Sequence, residues 1–227
     1  MMASGHNGAM PGFADLAADP AARLDALALA LAAEFRDVDE VAALGRLDEL
    51  AADVADAAAA AIDELDALGE VLGGRHGFAG AADAYDHPDN SMLDLVLERG
   101  YGLPIALSVV YVETARRAGI ALDGVGLPGH YVVGQFPPGG GRPVLLDPFA
   151  GGVRVAAAED TAADQLRPWG AHETALRMLN NLVGSYTRRN DLGRAIRAAE
   201  LRLELPLQRG LAAALAAELR ALRARLN

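Results

Sequence analysis

Between Glu98 and Pro148 the hydrophobic periodicity changes character once, and that change decides which folds are open to the chain. The run from Pro104 to Arg117 is apolar almost all round and longer than a typical strand. It opens with a proline and closes with two arginines before Gly119. The β-branched Ile105, Val109, Val110 and Val112 favour a strand. Length and punctuation outweigh them and predict a helix, and the lack of a polar face predicts burial on most sides. After Gly119 the pattern shortens. Asp123 to Leu127, His130 to Phe136 and Val144 to Leu146 read as strands, with Val153 to Val155 as a fourth edge. Pro-Gly and Gly-Gly-Gly turns separate them, and connections this short predict antiparallel pairing. A buried helix followed by a small antiparallel sheet makes the chain α+β.

The flanking segments read as helices. Leu24, Leu27, Leu31 and Phe35 recur at helical spacing behind Asp19, an expected N-cap, and Pro20 in the first turn. A second helix is expected from about Val38, with Val41, Leu44, Leu47, Leu50 and Val54 on one stripe. A third is expected from near Asp56, carrying Ile62, Leu65, Leu68 and Leu72 and stopped by Gly73 and Gly74. His76 to Asn90 reads as a loop. Ser91 and Asp94 resemble a capping box for the short helix that follows. From Ala171 the chain is helical again. Leu182, Tyr186, Ala195 and Pro206 roughly follow a tetratricopeptide pattern with its turn at Asn190–Asp191. A last helix presents Leu211, Leu215, Leu219, Leu222 and Leu226. The expected domain plan is a flexible tail over residues 1–18, a helical bundle with an α+β core over 19–165, and a helical region over 166–227.

Composition narrows the function classes. The formal net charge of −11 disfavours phosphate backbones and anionic lipid, so neither nucleic acid nor membrane is an expected partner. No stretch reaches the roughly 20 apolar residues of a membrane helix, and the first residues lack a signal-peptide pattern. The chain contains no cysteine, which excludes disulfides, thiolate metal sites and thiol catalysis, and fits a reducing cytoplasm. No cofactor is expected: Gly139, Gly140 and Gly141 do not follow a strand-to-helix phosphate loop. Asp83, Asp86, His87 and Asp89 lack the spacing of a calcium loop. Nothing in the sequence sets an oligomeric state.

Three points could carry chemistry. Gly102-Leu103-Pro104 stands at the helix entry, His130 opens a strand, and Asp147 closes the next one. Neighbouring antiparallel strands would bring imidazole and carboxylate within hydrogen-bond reach. A helix N-terminus, a histidine base and a carboxylate that orients it form the layout of a thiol triad. Each residue also has a plainer reading. His130 can be a core histidine satisfied by Asp147, and Asp147-Pro148 a strand-ending turn. Ser108, a conceivable substitute nucleophile, sits where a hydroxyl bonds the carbonyl one turn back. Glu98, before the turn, is an acid–base or cleft candidate or a solvated charge. Ile105 belongs to the first turn, whose N–H groups could serve an oxyanion.

The segments HPDNSMLDLVLERGYGLPIALSVVYVETARRAG, GVGLPGHYVVGQF and LLDPFAGG resemble the SirB-type family of transglutaminase-like proteins. In that family a transglutaminase-like, papain-like core precedes tetratricopeptide-like helices. The resemblance covers nearly the whole chain from about residue 20. It implies that the cysteine of active relatives falls on Pro104, their histidine on His130 and their aspartate on Asp147. It also implies a branch that has generally lost the nucleophile. The expected function is therefore non-catalytic binding of a protein or peptide through the cleft or the C-terminal helices. The alternative is an unconventional amide or ester hydrolase in which His130, held by Asp147, activates water.

Overall fold

The computed structural model describes residues 11–80, 85–156 and 165–226. Helix α1 (Phe13–Ala18) lies inside the span expected to be a flexible tail. Phe13 is 1% exposed and packs with Leu16 and Ala17 into the main core. The burial of one aromatic ring anchors a segment whose neighbours are small and polar. Asp19 caps no helix entry. It follows α1, and its carboxylate accepts the Ala21 N–H across the turn containing Pro20. Helix α2 (Leu24–Ala33) starts later, without a side-chain cap, and is buried almost all round.

Helix α3 (Glu40–Ala60) begins where Asp39 accepts the Ala42 N–H, then runs straight through Asp56, where a separate helix was expected. Four consecutive alanines, the best helix formers, carry it to Ala60. The real break is at Asp63, whose carboxylate accepts the Leu65 and Asp66 N–H groups and starts α4 (Glu64–Gly69). Ile62 therefore falls in a linker and is exposed, as is Val41 on the outer side of α3. Leu47, Leu50, Val54, Leu65, Leu68 and Leu72 are buried as expected. Gly73 and Gly74 do not stop the chain, because a wide π turn (Glu70–Arg75) carries through both.

Strand β1 (Ala79–Gly80) pairs in parallel with β2 (Tyr101–Gly102), on either side of helix α5 (Leu93–Arg99). The capping box does not form. Residues Pro88–Ser91 make a 3-10 turn, extended Met92 takes the N-cap place, and the Ser91 hydroxyl is buried without a partner among the described residues. Gly100 ends α5 at φ +76°, a left-handed conformation that re-aims the chain into β2.

The predicted central helix is α6 (Pro104–Ala118). Its residues from Pro104 to Tyr111 are buried without interruption. Four strands pack beside it: β3 (Asp123–Leu127), β4 (His130–Gln135), β5 (Val144–Asp147) and β6 (Val153–Val155). They are antiparallel and lie in sequence order. The register pairs Leu127 with His130, Val133 with Leu146, and Asp147 with Val153. Tyr131, Val133 and Leu146 belong to the cluster that includes α6. Helix α7 (Ala171–Arg188) turns at Asn190–Asp191 into α8 (Leu192–Arg202), on which α9 (Arg209–Ala224) packs. Leu215, Leu219 and Leu222 face inward. Leu211 and Leu226, expected on the same stripe, are exposed.

The architecture is α+β, with helices before and after one four-stranded antiparallel sheet. No helix among the described residues is long and apolar enough to cross a membrane. One buried ion cluster ties three helices together. Asp25 of α2, fully buried, bonds Arg117 of α6 and the neighbouring Arg23, and Arg117 also reaches Glu113 and Asp48. Burial pushes the Asp25 carboxyl up, but hydrogen bonds from Arg23 and Arg117, with their charges, outweigh it and hold the carboxyl below its ordinary range.

Candidate active site

The β3–β4 hairpin turns on Pro128-Gly129, with Leu127 and His130 as its closing pair. Because β5 runs antiparallel to β4, its end lies beside the beginning of β4. His130 Nε2 stands 2.9 Å from Asp147 Oδ2. The histidine side chain is 34% exposed and the aspartate 14%, so the pair borders solvent without being open to it. The other carboxylate oxygen, Oδ1, accepts the Phe149 N–H at 2.9 Å, and the Asp147 carbonyl accepts the Gly152 N–H at 2.8 Å. The carboxylate is thus held from both sides. With Nε2–H as the donor, Nδ1 is the ring nitrogen that makes no hydrogen bond among the described residues.

Phe149 lies edge-on to His130, with ring centroids 6.4 Å apart, and Tyr85 packs edge-on against Phe149 at 5.9 Å. Phe149 also lies over Gly80, where an added Cβ would enter its ring. Gly80 pairs with Gly102, so the aromatic ring connects the histidine to the strand that leads into α6. Behind the pair, the Tyr111 hydroxyl is buried with no partner among the described residues, and burial together with the Asp147 charge pushes its pKa up.

The helix entry is built for packing. Pro104 is buried at the first position of α6 and contributes neither a nucleophile nor an N–H. Gly102 is required by close approach, since a Cβ there would meet Val96 and the Asn90 carbonyl. The Ile105 side chain is 1% exposed and belongs to the core, leaving only its backbone at the entry. Ser108 donates to the Pro104 carbonyl at 2.8 Å and is buried, as the back-bonding reading expected. Glu98 is not in this cleft. It is exposed on α5 and borders a separate cavity of about 610 Å³ with Arg36, Arg46 and Asp94, because the left-handed turn at Gly100 separates it from the entry. Its neighbour Arg99 pairs with Asp89. Of the other acidic-loop residues, Asp86 pairs with Arg188 and His87 accepts the Asp89 N–H. Asp83 lies outside the described residues. Among the described residues, no group of three or more acidic or histidine side chains is placed to hold a metal ion.

Helix α7 borders the α6 entry. A recess of about 130 Å³ opens at the α6 entry, lined by Leu103 and Tyr85, by Asn180, Asn181, Gly184 and Ser185 of α7, and by the mutually paired Asp86 and Arg188. One turn earlier on α7, Arg177 donates to the Leu127 carbonyl through both terminal nitrogens (3.2 Å each). It also donates to the His130 carbonyl at 2.9 Å, fastening the hairpin that carries the histidine.

A sequence model of the transglutaminase-like superfamily matches residues 41–194, from α3 through the sheet into α8. The chain belongs to the transglutaminase-like superfamily. Curated relatives include a UPF0162 protein of Xylella fastidiosa (strain 9a5c), 39% identical over 145 residues that make up 57% of this chain and 51% of that protein. Another is a UPF0162 protein of Pseudomonas aeruginosa, 36% identical over 143 residues, 60% of this chain and 50% of that protein. The chain spans about half the length of the curated relatives it matches. No solved structure matches the chain.

Within this transglutaminase-like core, the structure pairs His130 with Asp147, links them through Phe149 and Gly80 to Gly102 before the α6 entry, and sets Glu98 apart. Sequence reasoning missed Arg177, Asn180, Asn181 and Tyr85. The only local signal for α7 was a pair of asparagines and a glycine in a helix that otherwise keeps a clean apolar stripe.

Proposed function

We propose that this transglutaminase-like domain binds an extended peptide segment at the α6 entry without turning it over. The observation that carries the reading is an ordered His130–Asp147 pair linked, through the rings of Phe149 and Tyr85, to a recess at a helix entry occupied by buried Pro104. The resemblance to SirB-type proteins, in which the cysteine position falls on Pro104, supports the same reading. Ser108 does not replace the missing nucleophile, because its hydroxyl is spent on a backbone carbonyl. The Asn181 amide offers a donor and an acceptor suited to a peptide backbone, and Asn180, whose Oδ1 accepts from Arg202, adds its NH2 donors. The α7–α8 hairpin, read as one tetratricopeptide-like unit capped by α9, forms the second wall. A second reading, hydrolysis of an amide or ester by water activated at His130, is favoured by the His130–Asp147 bond alone.

The test is equilibrium capture from a pool of short synthetic peptides of mixed sequence. Gly184→Phe should fill the recess. A Cβ added at Gly184 meets only the flexible end of Arg188, so the helix should tolerate the change. Capture is expected to fall at least about tenfold (roughly 1.4 kcal/mol) while the melting temperature is retained. Equal capture by the variant would refute the recess as the binding site.

A further inference from the structure

The chain has no lysine, and all twenty of its permanent cations are arginines. Among the described residues, six of the twenty make no ion pair: Arg142, Arg177, Arg189, Arg209, Arg220 and Arg225. Five of these are exposed, where water solvates the charge. Arg177 alone is partly buried. In a chain of net charge −11, a partly buried cation without a carboxylate is a departure that needs a reason.

The local compensation is incomplete. Arg177 lies over the rings of Tyr131 and Trp169, with centroid distances of 5.5 and 5.6 Å, and bonds two carbonyl oxygens. Three hydrogen bonds leave two of the five guanidinium N–H donors uncommitted among the described residues. Burial pushes its pKa down from the ordinary value, which the fields of Tyr131 and Tyr85 only partly offset. A guanidinium held by carbonyls and π faces keeps its full positive charge available to an anion.

Position supplies the second half of the argument. Arg177 precedes Asn181 by four residues on α7, a rise of about 6 Å. Its charge acts on Tyr85, which itself lines the recess, so the cation stands beside the recess and outside its lining. The recess of about 130 Å³ is well below the roughly 300–1,000 Å³ of a small-molecule or cofactor pocket. It has room for one side chain.

Resting on the peptide-binding reading above, we infer that the site takes the C-terminal residue of a peptide, its free carboxylate on Arg177 and its side chain in the recess beside Leu103 and Asn181. The protein's overall negative field opposes acidic partners elsewhere, so the preference is local to this cation.

The experiment measures fluorescence-polarisation binding of the full chain to two matched pools of short peptides, one ending in a free carboxylate and the other in a carboxamide. A third pool, amidated, carries an internal glutamate. The acid pool is expected to bind about tenfold more tightly than the amide pool. Arg177→Gln should bring that ratio to about one, Arg177→Lys should retain part of it, and Arg220→Gln should leave it unchanged. Because Arg177 also fastens the β3–β4 hairpin, the ratio is the readout: loosening of the hairpin weakens both pools alike. A ratio of one in the parent protein, an unchanged ratio in Arg177→Gln, or a preference for the internal glutamate would overturn the inference. If both pools bind equally, peptide binding stands and only the carboxylate assignment falls. If neither binds, both fall.

Discussion

Gly73→Ala is expected to destabilise the protein by about 3 kcal/mol, while Gly74→Ala, one residue on, stays within about 0.5 kcal/mol. A Cβ on Gly73 would run into the backbone carbonyl of Gly151, and one on Gly69 would meet the carbonyl of Gly152. Neither obstacle is a side chain that can rotate away. Gly152, for its part, would press a Cβ onto Tyr111 and Gly69. At Gly74 an added methyl meets only Glu70 at ordinary contact distance. The glycines let the π turn and the Pro148–Gly152 turn touch backbone to backbone, and that second turn is the one capped by Asp147. The shift forced by Gly73→Ala therefore loosens the carboxylate that holds His130. Urea denaturation checks it, with a lowered midpoint and an unchanged slope for Gly73→Ala only.

Asp25→Asn is expected to cost about 3 kcal/mol at neutral pH, the usual scale for removing one partner of a buried ion cluster. The loss leaves Arg117, 10% exposed, with Glu113 and Asp48 as its anions among the described residues. The sign of the pH dependence follows from the folded-state carboxyl lying below its ordinary value: burial opposes this, and Arg23 and Arg117 more than offset it. The stabilisation is fully present above the unfolded carboxyl pKa of about 3.9 and is lost as pH falls through the lower folded value. Denaturation across a pH series should show parent and variant separated by a constant gap above about pH 5, and the gap should close below about pH 4. A gap that widens in acid would contradict this assignment of the cluster.

The parts of the fold that were legible in the sequence are those fixed by local chemistry. Pro104 and Gly119 bracket a helix, and Pro128-Gly129 forces a hairpin whose register follows from its length. His130 and Asp147 come together because the two strands that carry them are antiparallel neighbours. Where the reading failed, distant contacts decided. Asp56 looks like a cap but is a solvent-side residue of a continuing helix, whereas Asp63 is the true cap. The pair Gly73-Gly74 looks like a stop signal, yet Gly73 is there to admit the turn at Gly151, far along the chain. Phe13 is invisible as an anchor until its pocket exists. The α7 wall was marked only by Asn180-Asn181 and Gly184 interrupting a helix, and no pattern near Arg177 or Asn181 announces which loop and helix entry they will face.

The account turns on a His–Asp pair that orients a binding surface at a site without a nucleophile. The most direct measurement incubates the full chain with the free-carboxylate peptide pool and follows it by mass spectrometry, beside His130→Ala and Gly184→Phe. The account predicts peptides retained intact by the parent protein, released when the recess is filled, and no products at any time. Cleavage products that accumulate with the parent protein and vanish with His130→Ala would contradict it and establish hydrolysis at His130 instead.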